Sequence, residues 1–177
     1  MRTIVYFLAL ALAFAPLSQA ANAAEPFGLK IGEAKLSEVE QTHAGDKIGI
    51  NRWTNGTIYK LKTEKLNFEG LLSAEAIFDT NDTLVGLLLE FRKERFETLN
   101  AMTAKNYALQ SSKTPFVGNR EAIYRDGDTA IELYAPHMSF QMKMYYMHDI
   151  FISAYEAGSK AKAKETAVKE NNALFGK

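Results

Sequence analysis

The sequence contains no cysteine and only three histidines among its 177 residues. The absence of cysteine excludes disulfide bridges, thiolate metal sites, a cysteine nucleophile and a lipid attached through an N-terminal cysteine. Small secreted domains of eukaryotes usually carry disulfide bridges, so this absence favours a bacterial periplasm as the compartment.

Recognisable catalytic motifs are also lacking. His43, His137 and His148 lie far apart, and none has the spacing of an HExxH metal site. No Gly-x-Ser-x-Gly sequence and no glycine-rich phosphate loop occurs. Carboxylate pairs such as Asp126 and Asp128 are ordinary in a turn. The sequence therefore predicts a protein that is not an enzyme and needs no cofactor or metal, although a metal site built from residues distant in sequence stays open.

Charge of either sign is not in excess, because 21 basic residues balance 21 acidic ones. No long-range field therefore favours nucleic acid or an anionic surface as the partner. The one local excess follows Gly158, where five lysines accompany two glutamates.

The only long apolar run lies at residues 4–15, about a dozen residues, whereas a membrane-spanning helix needs ~20. Arg2 precedes this run and Pro16 follows it, as in a secretory signal peptide. We expect a signal peptide at residues 1–23, cleaved after Ala20 or Ala23, and export to the periplasm without a transmembrane segment.

Residues 119–147 predict three antiparallel strands joined by two tight turns. Counting outward from a turn at Asp126-Gly127 pairs Tyr124 with Thr129. Counting from a second turn, at Pro136-His137, gives the pairs Leu133 with Phe140, Ile131 with Met142 and Thr129 with Met144. Side chains alternate along a strand, so both counts place the same apolar residues on one buried face. That face holds Ile131, Leu133, Phe140, Met142 and Met144, and the opposite face holds Asp128, Glu132, Gln141 and Lys143.

A second hairpin is predicted at 71–79 and 84–92, with a helix before each group of strands. Its predicted pairs are Phe78 with Val85, Ala76 with Leu87, Ala74 with Leu89 and Leu72 with Phe91. The remaining predicted elements are helices at 36–43, 94–106 and 148–157, a strand at 56–62, and a loop at 111–114. Gly158 is expected to end the last helix, with His148 as a candidate cap.

These elements define an α+β fold of two consecutive α-β-β-β units, about 27–92 and 93–157. We expect one domain over residues 24–157, with an antiparallel sheet, helices packed on one face and a C-terminal helix. Residues 158–177 lack an apolar stripe, which predicts a flexible polar tail.

A short motif near the start supports this organisation. Gly28-Leu29-x-x-Gly32, then Leu36 and Val39 on a short helix, then Gly45, resembles the helical opening of the β-lactamase-inhibitor-protein-like domains. These small exported bacterial domains include an outer-membrane assembly lipoprotein and use tandem helix-plus-sheet units. The chain departs from them in lacking the lipoprotein cysteine and in having Glu33-Ala34 where Met-Ser/Thr is usual. The resemblance implies protein binding on an exposed sheet or loop surface, without catalysis.

Five residues form the hypothetical partner surface: Trp53, Arg125, Tyr134, Lys143 and Tyr145. The two tyrosines should point away from the core, with the two basic residues beside them. Tyrosine and arginine are enriched at interface hot spots, although scattered exposed tyrosines are also ordinary. Trp53 lies in a polar loop and could equally fold over the first hairpin. The hypothesis is a binding module for another envelope protein, or for a toxin or inhibitor target.

The alternative is a carrier of a small apolar ligand. Methionine fills irregular gaps in cores and also lines adaptable binding surfaces. A pocket between sheet and helices would use Met138, Phe140, Met142 and Met144. Their register with Ile131 and Leu133 favours core packing over a pocket.

Overall fold

The computed structural model describes residues 23–176. The predicted signal peptide therefore lies outside the described residues except for Ala23. The strands are β1 (Gly45–Ile50), β2 (Asn55–Leu61), β3 (Leu71–Asp79), β4 (Leu84–Arg92), β5 (Ala108–Lys113), β6 (Arg120–Asp126), β7 (Thr129–Ala135) and β8 (Gln141–His148). The helices are α1 (Leu36–Thr42), α2 (Thr63–Leu66), α3 (Phe96–Asn106) and α4 (Asp149–Phe175), with short 3-10 turns at Pro26–Gly28 and Lys93–Arg95.

All eight strands form one antiparallel sheet in the order β1-β2-β3-β4-β8-β7-β6-β5. Strands β1 to β4 form one half of the sheet and strands β5 to β8 form the other. The two halves meet at the centre, where β4 pairs with β8. The predicted α+β class, antiparallel sheet and C-terminal helix are confirmed. Each half has four strands rather than the three predicted.

The two unpredicted strands, β1 and β5, are the edges of the sheet. All residues of β5, and all but the first of β1, are exposed, so neither sequence shows the alternation that identifies a half-buried strand. The predicted loop at 111–114 is therefore wrong: residues 111–113 lie in β5.

One face of the sheet, the inner face, carries the core. Leu36 and Val39 of α1 and Phe96 and Leu99 of α3 pack there against the sheet. The strands supply alternating buried side chains, among them Ala74, Ala76, Leu87, Leu89, Phe91, Tyr124, Ile131, Leu133, Met142 and Met144. Burial of each large apolar side chain is worth about 1.5–3 kcal/mol, which fixes the register of each strand.

Helix α4 packs on the opposite face, the outer face, and so departs from the prediction that helices share one face. Phe151 contacts Ile77 and Val85 there. The expected end of this helix at Gly158 is wrong, because the helix continues to Phe175. Alanine, lysine and glutamate favour helix, and Glu156–Lys160 and Glu165–Lys169 form ion pairs one turn apart. His148 caps the helix as expected, since its Nδ1 accepts a hydrogen bond from the Ile150 N–H at 3.2 Å.

The hairpin registers differ from the predicted ones by an even number of residues. Tyr124 pairs with Ile131 rather than Thr129, because the first turn is centred on Gly127-Asp128. Leu133 pairs with Met144 rather than Phe140, because residues 136–140 form a longer connection. Lys93 holds that connection, since its Nζ donates to the Pro136 carbonyl at 2.5 Å. Even offsets leave every paired side chain on its predicted face, but Phe140 falls outside the strand and is exposed, so its predicted burial is wrong.

In the other hairpin, Ala76–Leu87 and Ala74–Leu89 pair as predicted. The two predicted end pairs are wrong, because the register shifts near each end. The observed end pairs are Phe78–Leu84 and Leu71–Phe91.

Candidate functional site

Three rows of side chains cross the outer face over the neighbouring strands β3, β4, β8, β7 and β6. The helix row, next to α4, is Ile77, Gly86, Met147, Ala130 and Arg125. The central row is Glu75, Leu88, Tyr145, Glu132 and Ile123. The open row, furthest from α4, is Ser73, Glu90, Lys143, Tyr134 and Glu121. The outer face is therefore apolar beneath the helix and polar beyond it.

A groove of about 580 Å³, the helix groove, lies between α4 and the central row. Ile77, Leu88 and Met147 form its apolar floor, and Phe151 and Tyr155 line its helix side. Glu132, Tyr145 and Trp53 also line the groove, as does Glu156 of α4. The groove thus combines apolar surface, aromatic rings and two carboxylates.

A tight turn positions Trp53 at one side of this groove. The side-chain oxygen of Asn51 accepts hydrogen bonds from the N–H groups of Trp53 at 2.9 Å and Thr54 at 3.1 Å. The indole packs edge-to-face on Tyr155, with ring centroids 5.3 Å apart, and also contacts Gly158. Trp53 therefore borders the groove and supports α4.

Three of the other predicted surface residues lie together on the outer face. Tyr134 and Lys143 are cross-strand partners in the open row, and Tyr145 lies beside Lys143 on the same strand in the central row. Arg125 is also on this face, but its guanidinium donates to the Asp149 carboxylate at 2.5 Å and to the Gly127 carbonyl at 2.9 Å. Arg125 therefore anchors the first turn of α4.

Glu132 is the least compensated carboxylate of the groove. Partial burial raises its pKa, and the negative charge of Glu121 raises it further. Burial likewise raises the pKa of Tyr145, and the neighbouring Glu132 adds to that shift. An apolar floor and a carboxylate without a compensating cation are the features of a surface suited to a positively charged group.

Two loops at one end of the sheet display large apolar side chains. This loop-tip cluster consists of Phe116, Val117, Met138 and Phe140. Met138 is 91% exposed and Phe140 96% exposed, so their predicted place in an apolar pocket is wrong. Strand β7 ends at Ala135 and β8 begins at Gln141, so both residues lie in the loop between these strands.

Hydrogen bonds hold the two loops together. The Gly118 N–H donates to Nδ1 of His137 at 3.2 Å, and the His137 N–H donates to the side-chain oxygen of Asn119 at 2.9 Å. The last cross-strand pair before the β7–β8 loop is Tyr134–Lys143, which belongs to the open row. The loop-tip cluster therefore lies next to the open row at this end of the sheet. Sequence analysis missed Phe116 and Val117; the available signal was two large apolar residues between Pro115 and Gly118 in a loop.

A smaller cavity of about 240 Å³, the inner pocket, lies between α3 and the inner face. Met144 lines it with Leu99, Met102 and Tyr107, whereas Met142 is not part of its lining and lies fully buried in the core. The rings of Tyr107 and Tyr146 meet edge-to-face at 6.4 Å, and burial raises the pKa of both phenols. Of the four predicted pocket residues, only Met144 borders this cavity.

Within residues 23–176, no cluster of three histidine, aspartate or glutamate side chains is arranged to hold a metal ion. In the same part of the chain, no helix combines the length and apolar character that crossing a membrane requires. Comparison with protein-family models, curated proteins and solved structures finds no match to this chain. The fold and surface thus define an α+β protein with an exposed apolar loop end and an open sheet face.

Proposed function

We propose that this chain is an exported, non-catalytic binding module for another protein of the bacterial envelope, or for a toxin or inhibitor target. Its partner surface comprises the open row and the loop-tip cluster. The observation that carries the proposal is the exposure of four large apolar side chains on two adjacent loops. Exposed apolar patches of this kind mark interaction sites on soluble proteins.

The energetics of the loop-tip cluster suit protein association. Burying each of these side chains against a partner would contribute on the order of 1.5–3 kcal/mol. Phenylalanine, methionine and tyrosine are also residue types enriched in interface cores. Because His137 and Lys93 hold the loops by hydrogen bonds, little conformational freedom is lost on binding.

Export is part of the proposal and rests on the sequence. The charged start, the short apolar run and the small residues at 20 and 23 have the form of a secretory signal. The absence of cysteine fits a bacterial envelope protein better than a eukaryotic secreted domain.

Site-specific photo-crosslinking tests the proposal. A photoreactive phenylalanine at position 140 should give adducts with one defined protein in cells of the host, and the purified proteins should bind each other. Phe140→Ser should weaken that binding at least about tenfold, since a buried phenylalanine is lost from the interface. The same photoreactive residue at 174, near the exposed end of α4, is the matched control. Equal adduct patterns at 140 and 174 would contradict the proposal.

The inner pocket supports a second candidate, the carrier of a small apolar ligand. Its volume of about 240 Å³ is below the ~300 Å³ at which typical ligand pockets begin, but above the ~150 Å³ that admits benzene. Native mass spectrometry of protein purified from its host should then show a bound apolar molecule. Met102→Trp, at the mouth of the pocket, should displace it, whereas Phe140→Ser should not.

A further inference from the structure

We propose that the helix groove receives an arginine side chain of the partner protein. Glu132 pairs with the guanidinium group and Tyr145 stacks against it. This inference rests on the proposed protein-binding function and assigns the chemistry of the partner at one point of the outer face.

The first step is that no cation in the described part of the chain pairs with Glu132. Within residues 23–176, the influences on its carboxylate are burial and the like charge of Glu121, with no favourable partner. Arg125 lies in the adjacent helix row, but its guanidinium is bound to Asp149 and the Gly127 carbonyl. Lys143 lies in the open row, opposite Tyr134 and Glu90. A partly buried carboxylate without an opposite charge is costly, and carboxylates perturbed in this way are concentrated at functional sites.

The second step is charge complementarity over the whole face. Among the residues of the three rows, four are glutamates, at 75, 90, 121 and 132. Two are basic, Arg125 and Lys143, and Arg125 is already neutralised by Asp149. The face around Tyr145 is therefore acidic, which favours a basic segment of the partner.

The third step selects the shape of the cation. Tyr145 and Glu132 are direct cross-strand neighbours, so an aromatic ring and a carboxylate adjoin on one surface. A planar guanidinium can stack on the ring and form two parallel hydrogen bonds to the carboxylate, which an ammonium group cannot do. The apolar floor at Leu88 and Met147 suits the methylene stem of the same side chain.

The second carboxylate of the groove does not compete for this role. Glu156, on α4, lies four residues, about one turn, before Lys160 and pairs with it at 3.7 Å. Glu132 is therefore the anchor that the proposal predicts.

A peptide titration tests the inference. The probes are acetyl-Leu-Arg-Leu-amide and the same peptide with citrulline, which keeps the shape of arginine and removes its charge. Trp53, the only tryptophan, borders the groove, so its indole N–H signal in NMR spectra reports binding. We expect the arginine peptide to shift this signal and to bind about tenfold more tightly than the citrulline peptide, the effect of one charge-assisted pair.

Two variants make the test specific. Glu132→Gln should abolish the preference for arginine, whereas Glu64→Gln, at an exposed position on α2 and outside the three rows, should retain it. Equal binding of the two peptides, no shift with the arginine peptide, or an unchanged preference in Glu132→Gln would each overturn the inference. None of these outcomes bears on the crosslinks from position 140, which test the protein-binding function separately.

Discussion

Gly158 of α4 lies directly against the indole ring of Trp53, so closely that a β-carbon at position 158 would collide with the ring. This contact fixes the helix to the first half of the chain, because Trp53 lies between β1 and β2. The ion pair of Arg125 with Asp149 fixes the start of the same helix to β6, in the second half. Helix α4 therefore ties the two halves together across the outer face.

Gly158→Ala should lower the melting temperature although alanine favours helix by about 1 kcal/mol. The reason is that the added methyl group displaces the indole of Trp53. Thermal unfolding gives the stability, and the fluorescence of the single tryptophan should shift to the red as the ring becomes exposed. In a Trp53→Ala background the collision is absent, so Gly158→Ala should become stabilising. A destabilising effect of equal size in both backgrounds would contradict the contact.

Arg125→Ala should destabilise the protein by on the order of 1 kcal/mol, because the Arg125–Asp149 pair is partly exposed and screened by water. A double-mutant cycle with Asp149→Asn, measured by urea unfolding, gives the coupling between the two side chains. The coupling should shrink when salt is added. Additive effects of the two substitutions would show that the ion pair does not hold α4.

Glu132→Gln should stabilise the free protein at neutral pH. The pKa of Glu132 is raised above its ordinary value of 4.5, so the folded state binds this proton more tightly than the unfolded chain does. The stability that the protonated form supplies is present below that value and is lost as the pH rises through the folded pKa. Melting temperatures of the variant and the parent protein should therefore differ at neutral pH and converge at about pH 4. Glu64→Gln, at an exposed position on α2, is the control for removal of a surface charge.

Serine at both Phe116 and Phe140 should leave the free energy of unfolding within about 0.5 kcal/mol of the parent value, because both rings are exposed. Binding of a dye that fluoresces on apolar surfaces should fall in the same variant. Phe91→Ala, in the core, should by contrast cost about 3–5 kcal/mol. A large loss of stability in the double serine variant would mean that the loop-tip cluster packs within the fold.

The faces of the central strands were predictable because alternation depends only on whether a position is odd or even. The predicted partners of Tyr124 and Leu133 were off by two and four residues, and neither offset moved a paired side chain to the other face. Phe140 was misplaced because turn residues alone do not give the length of a loop held by a distant lysine. Lys93, which holds that loop, precedes it by more than 40 residues.

The candidate site was less predictable than the sheet. The outward direction of Tyr134, Lys143 and Tyr145 could be predicted because side chains alternate along a strand. The helix groove could not, because it depends on which face of the sheet α4 covers. The sequence pattern of α4 does not indicate which face of the sheet Phe151 covers. In the folded protein, Phe151 packs on Ile77 and Val85 of the outer face, and Tyr155 packs on Trp53. Arg125 was expected to face a partner because its own acceptor, Asp149, lies 24 residues away.

The strand order relates the two halves by an internal two-fold arrangement, since like strands β4 and β8 meet in antiparallel register. Under that relation, the β1–β2 turn that carries Trp53 corresponds to the β5–β6 loop that carries Phe116. The chain shields the first of these equivalent positions with its own C-terminal helix and leaves the second bare. The two halves of the sheet thus differ in the aromatic ring that these loops present: Phe116 is fully exposed to solvent, whereas Trp53 is partly covered by Tyr155 of α4.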